Sequence, residues 1–242
     1  VAIADGISSS KYSRRGARAL VLGATQNEYL DEDRLKQFIR QVKGKEKGIH
    51  IEAQSLFNQA YAGAKDYVQK MAKENNLEFK DLYSTLLVFF AVPLDRGRLF
   101  IASTQIGDGT LYALTPESVE STISPAQWLT LQQQQVGEDG NEVMPLTLST
   151  REKWERYFDC RPDLKTTFVM GMTDGTADDL QPPPSTSETA RYDSHFYVRR
   201  FYKEIQDKVL SQNNSATALL EYLDYEKKQS YDDRTVICLY SS

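Results

Sequence analysis

Histidine and cysteine are scarce in this 242-residue chain, with two of each. Two cysteines, Cys160 and Cys238, cannot build a disulfide framework, and Cys238 sits within an apolar run as a small core residue. That usage points to a reducing, cytoplasmic compartment. A zinc centre needs Cys and His at close spacing, and the sequence offers none. Long hydrophobic runs are missing too: nothing approaches the ~18 apolar residues of a membrane span, and no signal peptide is visible. Positive charge is in deficit, with a formal net charge of −5 and a pI near 5.2. This balance argues against nonspecific partnership with nucleic acid or an anionic membrane. What the chain does have is 40% hydrophobic residues, enough for one sizeable core, so a single domain spanning 1–242 is expected. It opens inside a strand pattern and without Met, and the expectation is that one or more N-terminal strands precede Val1.

The chain is organised around Thr166–Leu180, TTFVMGMTDGTADDL. The apolar run through Phe168, Val169, Met170 and Met172 reads as a buried strand. It stops at Asp174-Gly175, with Asp178 and Asp179 close behind. Taken alone, Asp-Gly is ordinary turn chemistry. The pattern recurs, however. Val1–Ala4 runs into Asp5-Gly6, Leu99–Ile106 into Gly107-Asp108-Gly109, and Asp232-Asp233 immediately precedes the apolar run Thr235–Tyr240. In antiparallel sheets the end of one strand lies beside the start of its neighbour, so these acids are placed to share one edge. Several carboxylates without His or Cys form a hard, all-oxygen donor set, which selects Mg²⁺ or Mn²⁺ over zinc.

Between these points the chain alternates amphipathic helices with apolar strands. Helices are expected over Ser13–Leu30, Asp33–Val42, Ile51–Lys73, Ser194–Gln212 and Ser215–Tyr225. A hairpin is expected from Thr85–Val92 and Leu99–Ser103, with Thr110–Leu114 continuing beyond the Gly-Asp-Gly turn. Pro116–Thr150 has weak periodicity and four successive glutamines, and reads as a lid or surface segment. Arg14, Arg15 and Arg18 form either a solvated helix face or a patch attracting phosphate.

VAIADGISSSKYSRRGA, STLLV (Ser84–Val88), QIGDGTLYAL (Gln105–Leu114), MTDGTADDL and DDRTVI (Asp232–Ile237) occur in the order found in metal-dependent PP2C-type (PPM) serine/threonine protein phosphatases. The set most resembles the divergent bacterial branch, which uses GDG and DDRT. The resemblance spans nearly the whole chain. It implies an α+β fold, a four-layer α/β/β/α sandwich of two antiparallel sheets flanked by helices.

For function, the resemblance implies a hydrolase that cleaves phosphoserine or phosphothreonine in proteins through attack by a hydroxide bridging two divalent ions. Asp5 would bridge both ions and the Gly6 carbonyl would bind one, while Asp174 and Asp232 hold the other; Asp233 competes with Asp232 by one residue. Asp108 and Asp178 match the positions of a third, weaker ion in some bacterial members. The implied partners are a phosphoprotein substrate and a cognate Ser/Thr kinase. Neither cysteine lies in a C-x₅-R loop, which argues against a cysteine phosphatase. Two departures stand out. The position of a general-acid His in many members is occupied by about Ser10, and the family's upstream Arg and acid are not in this sequence. A phosphoprotein-binding pseudophosphatase and a small-molecule phosphohydrolase therefore stand as alternatives.

Overall fold

The computed structural model describes residues 1–26, 30–114, 128–132, 144–166, 168–179, 196–224 and 234–240. The first strand, β1 (Ala2–Ile3), leads into three helices, α1 (Ser13–Thr25), α2 (Glu32–Gly44) and α3 (Ile49–Glu74). Strands β2 (Leu86–Leu94), β3 (Arg98–Ile106), β4 (Thr110–Leu114) and β5 (Trp128–Gln132) follow. After the short helix α4 (Arg151–Arg156) come β6 (Asp159–Lys165), β7 (Phe168–Met172) and α5 (Asp174–Asp179). Helix α6 (Phe196–Ile205), α7 (Ser215–Leu223) and β8 (Val236–Tyr240) complete the described chain.

These strands make two antiparallel four-stranded sheets, in the orders β1-β2-β3-β6 and β5-β4-β7-β8. The unbroken apolar runs are explained by burial on both faces. Along β2, Leu87 and Phe89 face the other sheet and meet Leu111, Ala113, Leu131 and Val169. Their neighbours Leu86 and Val88 face outward, into the packing of Leu20, Leu56, Phe57, Ala60 and Val68 from α1 and α3. On the second sheet, Phe168, Met170 and Met172 face Val198, Phe201, Ile205 and Val209. The result is helix, sheet, sheet, helix: the expected α/β/β/α sandwich. Among the described residues no helix is long and apolar enough to cross a membrane.

Tyr61, fully buried on α3, ties the helical layer to the sheet. Its hydroxyl lies 3.0 Å from the carbonyl oxygens of both Leu86 and Thr104, donating its one proton between them. Tyr61→Phe is expected to destabilise the protein by ~1 kcal/mol, the net worth of a buried hydrogen bond, read as a lower urea midpoint at unchanged slope.

Two strands had no clear signature in the sequence. Among the described residues β6 is an edge strand, paired to β3 alone, with Arg161, Pro162 and Asp163 exposed. Such an edge tolerates both charge and proline, so it shows no apolar alternation. β5 lies inside the stretch read as a lid. Its Gln132 is buried and donates to Ser103 Oγ at 3.0 Å and to the Tyr157 carbonyl at 2.8 Å. Further along, Leu146 and Ser149 are buried, and Lys65 Nζ donates to the Ser149 carbonyl at 2.7 Å. Pro116–Thr150 is thus partly packed structure; residues 115–127 and 133–143 lie outside the described residues. Helix α1 ends at Thr25 rather than Leu30, and α6 passes into a π-helical turn at Gln206–Leu210.

Candidate active site

The strand pairings bring the Asp-bearing segments to one rim. Ile3 pairs with Leu87, and Leu86 pairs with Ile106, so the residues after β1 and the end of β3 flank the start of β2 from its two sides. The turn Gly107-Asp108-Gly109 then crosses from one sheet to the other. On the second sheet Thr110 pairs with Met172 and Met172 with Val236, which puts the end of β7 beside the starts of β4 and β8.

Local chemistry holds these turns in place. Asp5 is anchored through its backbone: its N–H donates to Thr85 Oγ1 at 3.2 Å, and Thr85 N–H donates to its carbonyl at 2.9 Å. The Gly6 N–H donates to Asp5 Oδ1 at 2.7 Å. Gly6 is required by close approach, because a Cβ there would lie 2.7 Å from the Cβ of Ser13, the first residue of α1. Gly107 is required twice over, by its φ of 115° and by Thr85, whose Cβ would lie 2.4 Å from a Cβ at this position. Across the interface, Thr173 N–H donates to the Thr235 carbonyl and Thr235 N–H to Thr173 Oγ1, both at 3.1 Å. Asp174 follows directly and opens α5, with Oδ1 accepting the Gly175 N–H at 2.8 Å. The second Asp-Gly pair is therefore a helix start rather than a reverse turn, and it repeats the contact made at Asp5-Gly6.

The Asp5 and Asp174 carboxyls, delivered by different sheets, meet at this rim. Burial, the adjoining Asp174 carboxyl and the charge of Asp108 push Asp5 up to about 8. Two carboxyls in such contact hydrogen-bond only while one holds a proton. In the metal-free protein this has a definite pH signature. The folded state keeps on Asp5 a proton that the unfolded chain releases near 3.8, so stability falls as pH rises between those two values. Asp5→Asn is expected to remove that decline, and thermal melts of both proteins in EDTA from ~pH 5 to ~pH 8 measure the difference.

The donor set fits a hard divalent cation: it is all oxygen, half-buried, and built on an acid pair whose mutual repulsion a cation relieves. Among the described residues no group of three His, Cys, Asp or Glu side chains is gathered closely enough to hold an ion. Asp5 and Asp174 make a pair, with Asp108 acting on Asp5 by charge. Asp178 lies one helical turn beyond Asp174 in α5, its side chain outside the described residues, as are Asp232 and Asp233 entirely.

Other candidates are placed elsewhere or tied up. Ser10 is buried and its hydroxyl donates to the Lys80 carbonyl at 2.7 Å, which commits it to holding the loop. His50 lies exposed in the first turn of α3, and His195 is outside the described residues. Burial pushes the thiols of Cys238 and Cys160 up to about 12 and about 11, the second aided by Asp159, so neither is a nucleophile at neutral pH. Sequence reading overlooked Thr85 and Thr173, the hydroxyl anchors beside the two Asp residues. Their signal is a threonine at the boundary of an otherwise apolar strand.

Comparison with known proteins bears on the fold and the family. A crystal structure of a bacterial serine phosphatase carrying a point mutation superposes with a TM-score of 0.54 at 12% identity, covering 98% of this chain and 83% of that one. A stage II sporulation E family protein from Thermanaerovibrio acidaminovorans aligns over 82% of this chain and 88% of its own, at 13% identity and a TM-score of 0.40. No curated protein sequence matches the chain. The first superposition shows the fold. Lineage comes from the sequence profile of protein phosphatase 2C, which matches residues 1–224 and so takes in the Asp5, Asp108 and Asp174 turns alike: the chain belongs to the protein phosphatase 2C family.

Proposed function

We propose that residues 1–242 act as one cytoplasmic phosphatase domain that hydrolyses phosphoserine or phosphothreonine in proteins with the help of Mg²⁺ or Mn²⁺. The observation that carries this reading is the meeting of Asp5 and Asp174, from two sheets, in a half-buried acid pair, where burial and then the Asp174 carboxyl push Asp5 up to about 8. Bound divalent ions acidify water and neutralise phosphoryl oxygens in such reactions. Asp5, the Gly6 carbonyl, Asp174 and Asp232 are the residues we assign to hold two ions, with Asp108 and Asp178 for a third. The chain's own contribution is positional. Thr85 fixes the Asp5 backbone, Thr173 fixes the junction of β7 and β8, and α1, seated on Gly6, closes the rim from one side. The cysteines, both free and half-buried, fit a reducing compartment. The phosphoprotein substrate would be the product of a Ser/Thr kinase.

Ser10 favours a second reading. With its hydroxyl committed to Lys80, it offers no proton to a departing alkoxide, which is what a catalytically weak, phosphoprotein-binding relative would show.

Hydrolysis of an aryl phosphate is expected with Mn²⁺ or Mg²⁺ and is expected to vanish in EDTA. Aryl phosphates have a good leaving group, so this assay isolates the cation-dependent part of the reaction. Full activity in EDTA would overturn the reading, and metal binding without turnover would favour the weak relative.

A further inference from the structure

We propose that the groove between α1 and α3 docks a short acidic segment of a partner protein, with an apolar residue at one end. This deepens the phosphatase reading, since the segment would belong to a protein substrate, but the groove can be tested without it.

The groove encloses about 410 Å³, and Arg15, Arg18 and Leu22 of α1 face Tyr67, Lys70 and Met71 of α3 across it. The two helices run antiparallel. Arg15 Nη2 donates to Asn75 Oδ1 at 2.8 Å at one end, while at the other a Cβ on Gly23 would lie 2.5 Å from the Gly63 carbonyl. Reading along the groove, the cations come first and the apolar side chains last. Arg15 and Arg18 are one turn apart, level with Lys70, and Leu22 with Tyr67 lies beyond them. Among the described residues Glu74 is the one acid on the lining, so the groove is cationic in a protein whose net charge is −5. Helix α1 contains Arg14, Arg15 and Arg18 and no acidic residue.

Two features mark this groove. Arg18 and Lys70 are exposed, gathered on one lining with Arg15, and have no hydrogen-bond or ion-pair partner among the described residues, as holds also for Arg40, Lys43 and Lys73. Tyr67 is 43% exposed beside them, presenting an aromatic surface at the groove's far end. Length sets the occupant's size. From Arg15 to Leu22 an α-helix rises ~10 Å, which matches about three residues of extended chain. Two acidic side chains over Arg15, Arg18 and Lys70, followed by an apolar one against Leu22 and Tyr67, complete the complementarity. The cationic end is also the end nearest the rim. Arg15 is two residues beyond Ser13, which packs against Gly6. A bound segment would therefore lead from the groove towards Asp5.

The test is fluorescence anisotropy with a labelled, unphosphorylated peptide containing Asp-Asp-Ala-Leu, against a control containing Asn-Asn-Ala-Leu. The wild-type chain is expected to bind the acidic peptide at least ~10-fold more tightly than the control at low salt, and Arg18→Glu with Lys70→Glu is expected to abolish that preference. Arg18→Gln with Lys70→Gln is expected to give an intermediate loss, and thermal melts of each variant check that the fold is intact. Equal binding of the two peptides, or a preference that survives the double substitution in a folded protein, overturns the proposal. So does tighter binding of a single-stranded oligonucleotide at the same groove. Because binding is read without turnover, a chain that hydrolyses nothing would still report on the groove, and a failed groove would leave the hydrolysis assay standing.

Discussion

Asp174→Asn is expected to lower aryl phosphate hydrolysis by at least ~100-fold, because even residues that only support a metal's ligands are worth ~10–100-fold. Asn keeps the size of Asp and its capacity to accept the Gly175 N–H through a side-chain oxygen, so the start of α5 survives. What disappears is the charge against Asp5. Burial is the larger cause of the raised Asp5 pKa, and the Asp174 carboxyl comes next. Removing the second cause lowers the Asp5 value and lessens the loss of metal-free stability as pH rises through it. The two readouts thus move in opposite directions: activity falls, while the melting temperature in EDTA at ~pH 8 rises. The double variant with Asp5→Asn is expected to be little worse than either single one, since residues acting as a unit are strongly non-additive. Activity near wild type in Asp174→Asn would mean that this residue only starts a helix, and the proposed mechanism would fall.

Gly16→Ala is expected to be a severely damaging single-methyl change. A Cβ at Gly16 in α1 would lie 2.2 Å from the Leu82 carbonyl oxygen and 2.7 Å from Ser84 Oγ. Backbone cannot yield there as a flexible side chain could, so α1 must lift away from the segment Phe79–Leu82. Overpacking of this kind costs up to ~3 kcal/mol or more, which for a chain of this size lowers the melting temperature by ~6–12 °C. The loss reaches the site as well. Ser84 Oγ donates to the Ser13 carbonyl at 3.0 Å, and Ser13 is what α1 rests on Gly6. Gly44→Ala is the matched control. A Cβ there meets nothing nearer than the Glu46 side chain at 3.7 Å, so the substitution is expected to stabilise α2 by ~0.5–1 kcal/mol. Equal melting temperatures for the two variants would refute the close-approach argument.

Much of the fold was legible because both faces of the central strands are buried. Leu86–Val92 and Phe168–Met172 had to be apolar at every position, so they stand out against the polar turns. The long helix α3 was equally plain, since its stripe of Leu56, Ala60, Ala64 and Val68 recurs at helical spacing. β6 and β5 were hidden for the opposite reason. The first is an exposed, charged edge, and the second relies on a buried glutamine whose partners, Ser103 and Tyr157, are far away in sequence.

The sequence by itself determined which side chains are available for chemistry: carboxylates at strand ends, and almost no histidine or cysteine. Composition and order of motifs are local properties, and each Asp-Gly pair is visible within two residues. Only the tertiary structure decided that Asp5 and Asp174, 169 positions apart by their numbering, stand carboxyl against carboxyl. Only it decided that Ser10 is locked to Lys80, and that Arg15 and Arg18 turn towards α3. The physical reason is that a pKa, a hydrogen bond or a groove depends on distances a few ångströms long. Those distances are set by strand register and helix packing, which close only when the whole core is assembled.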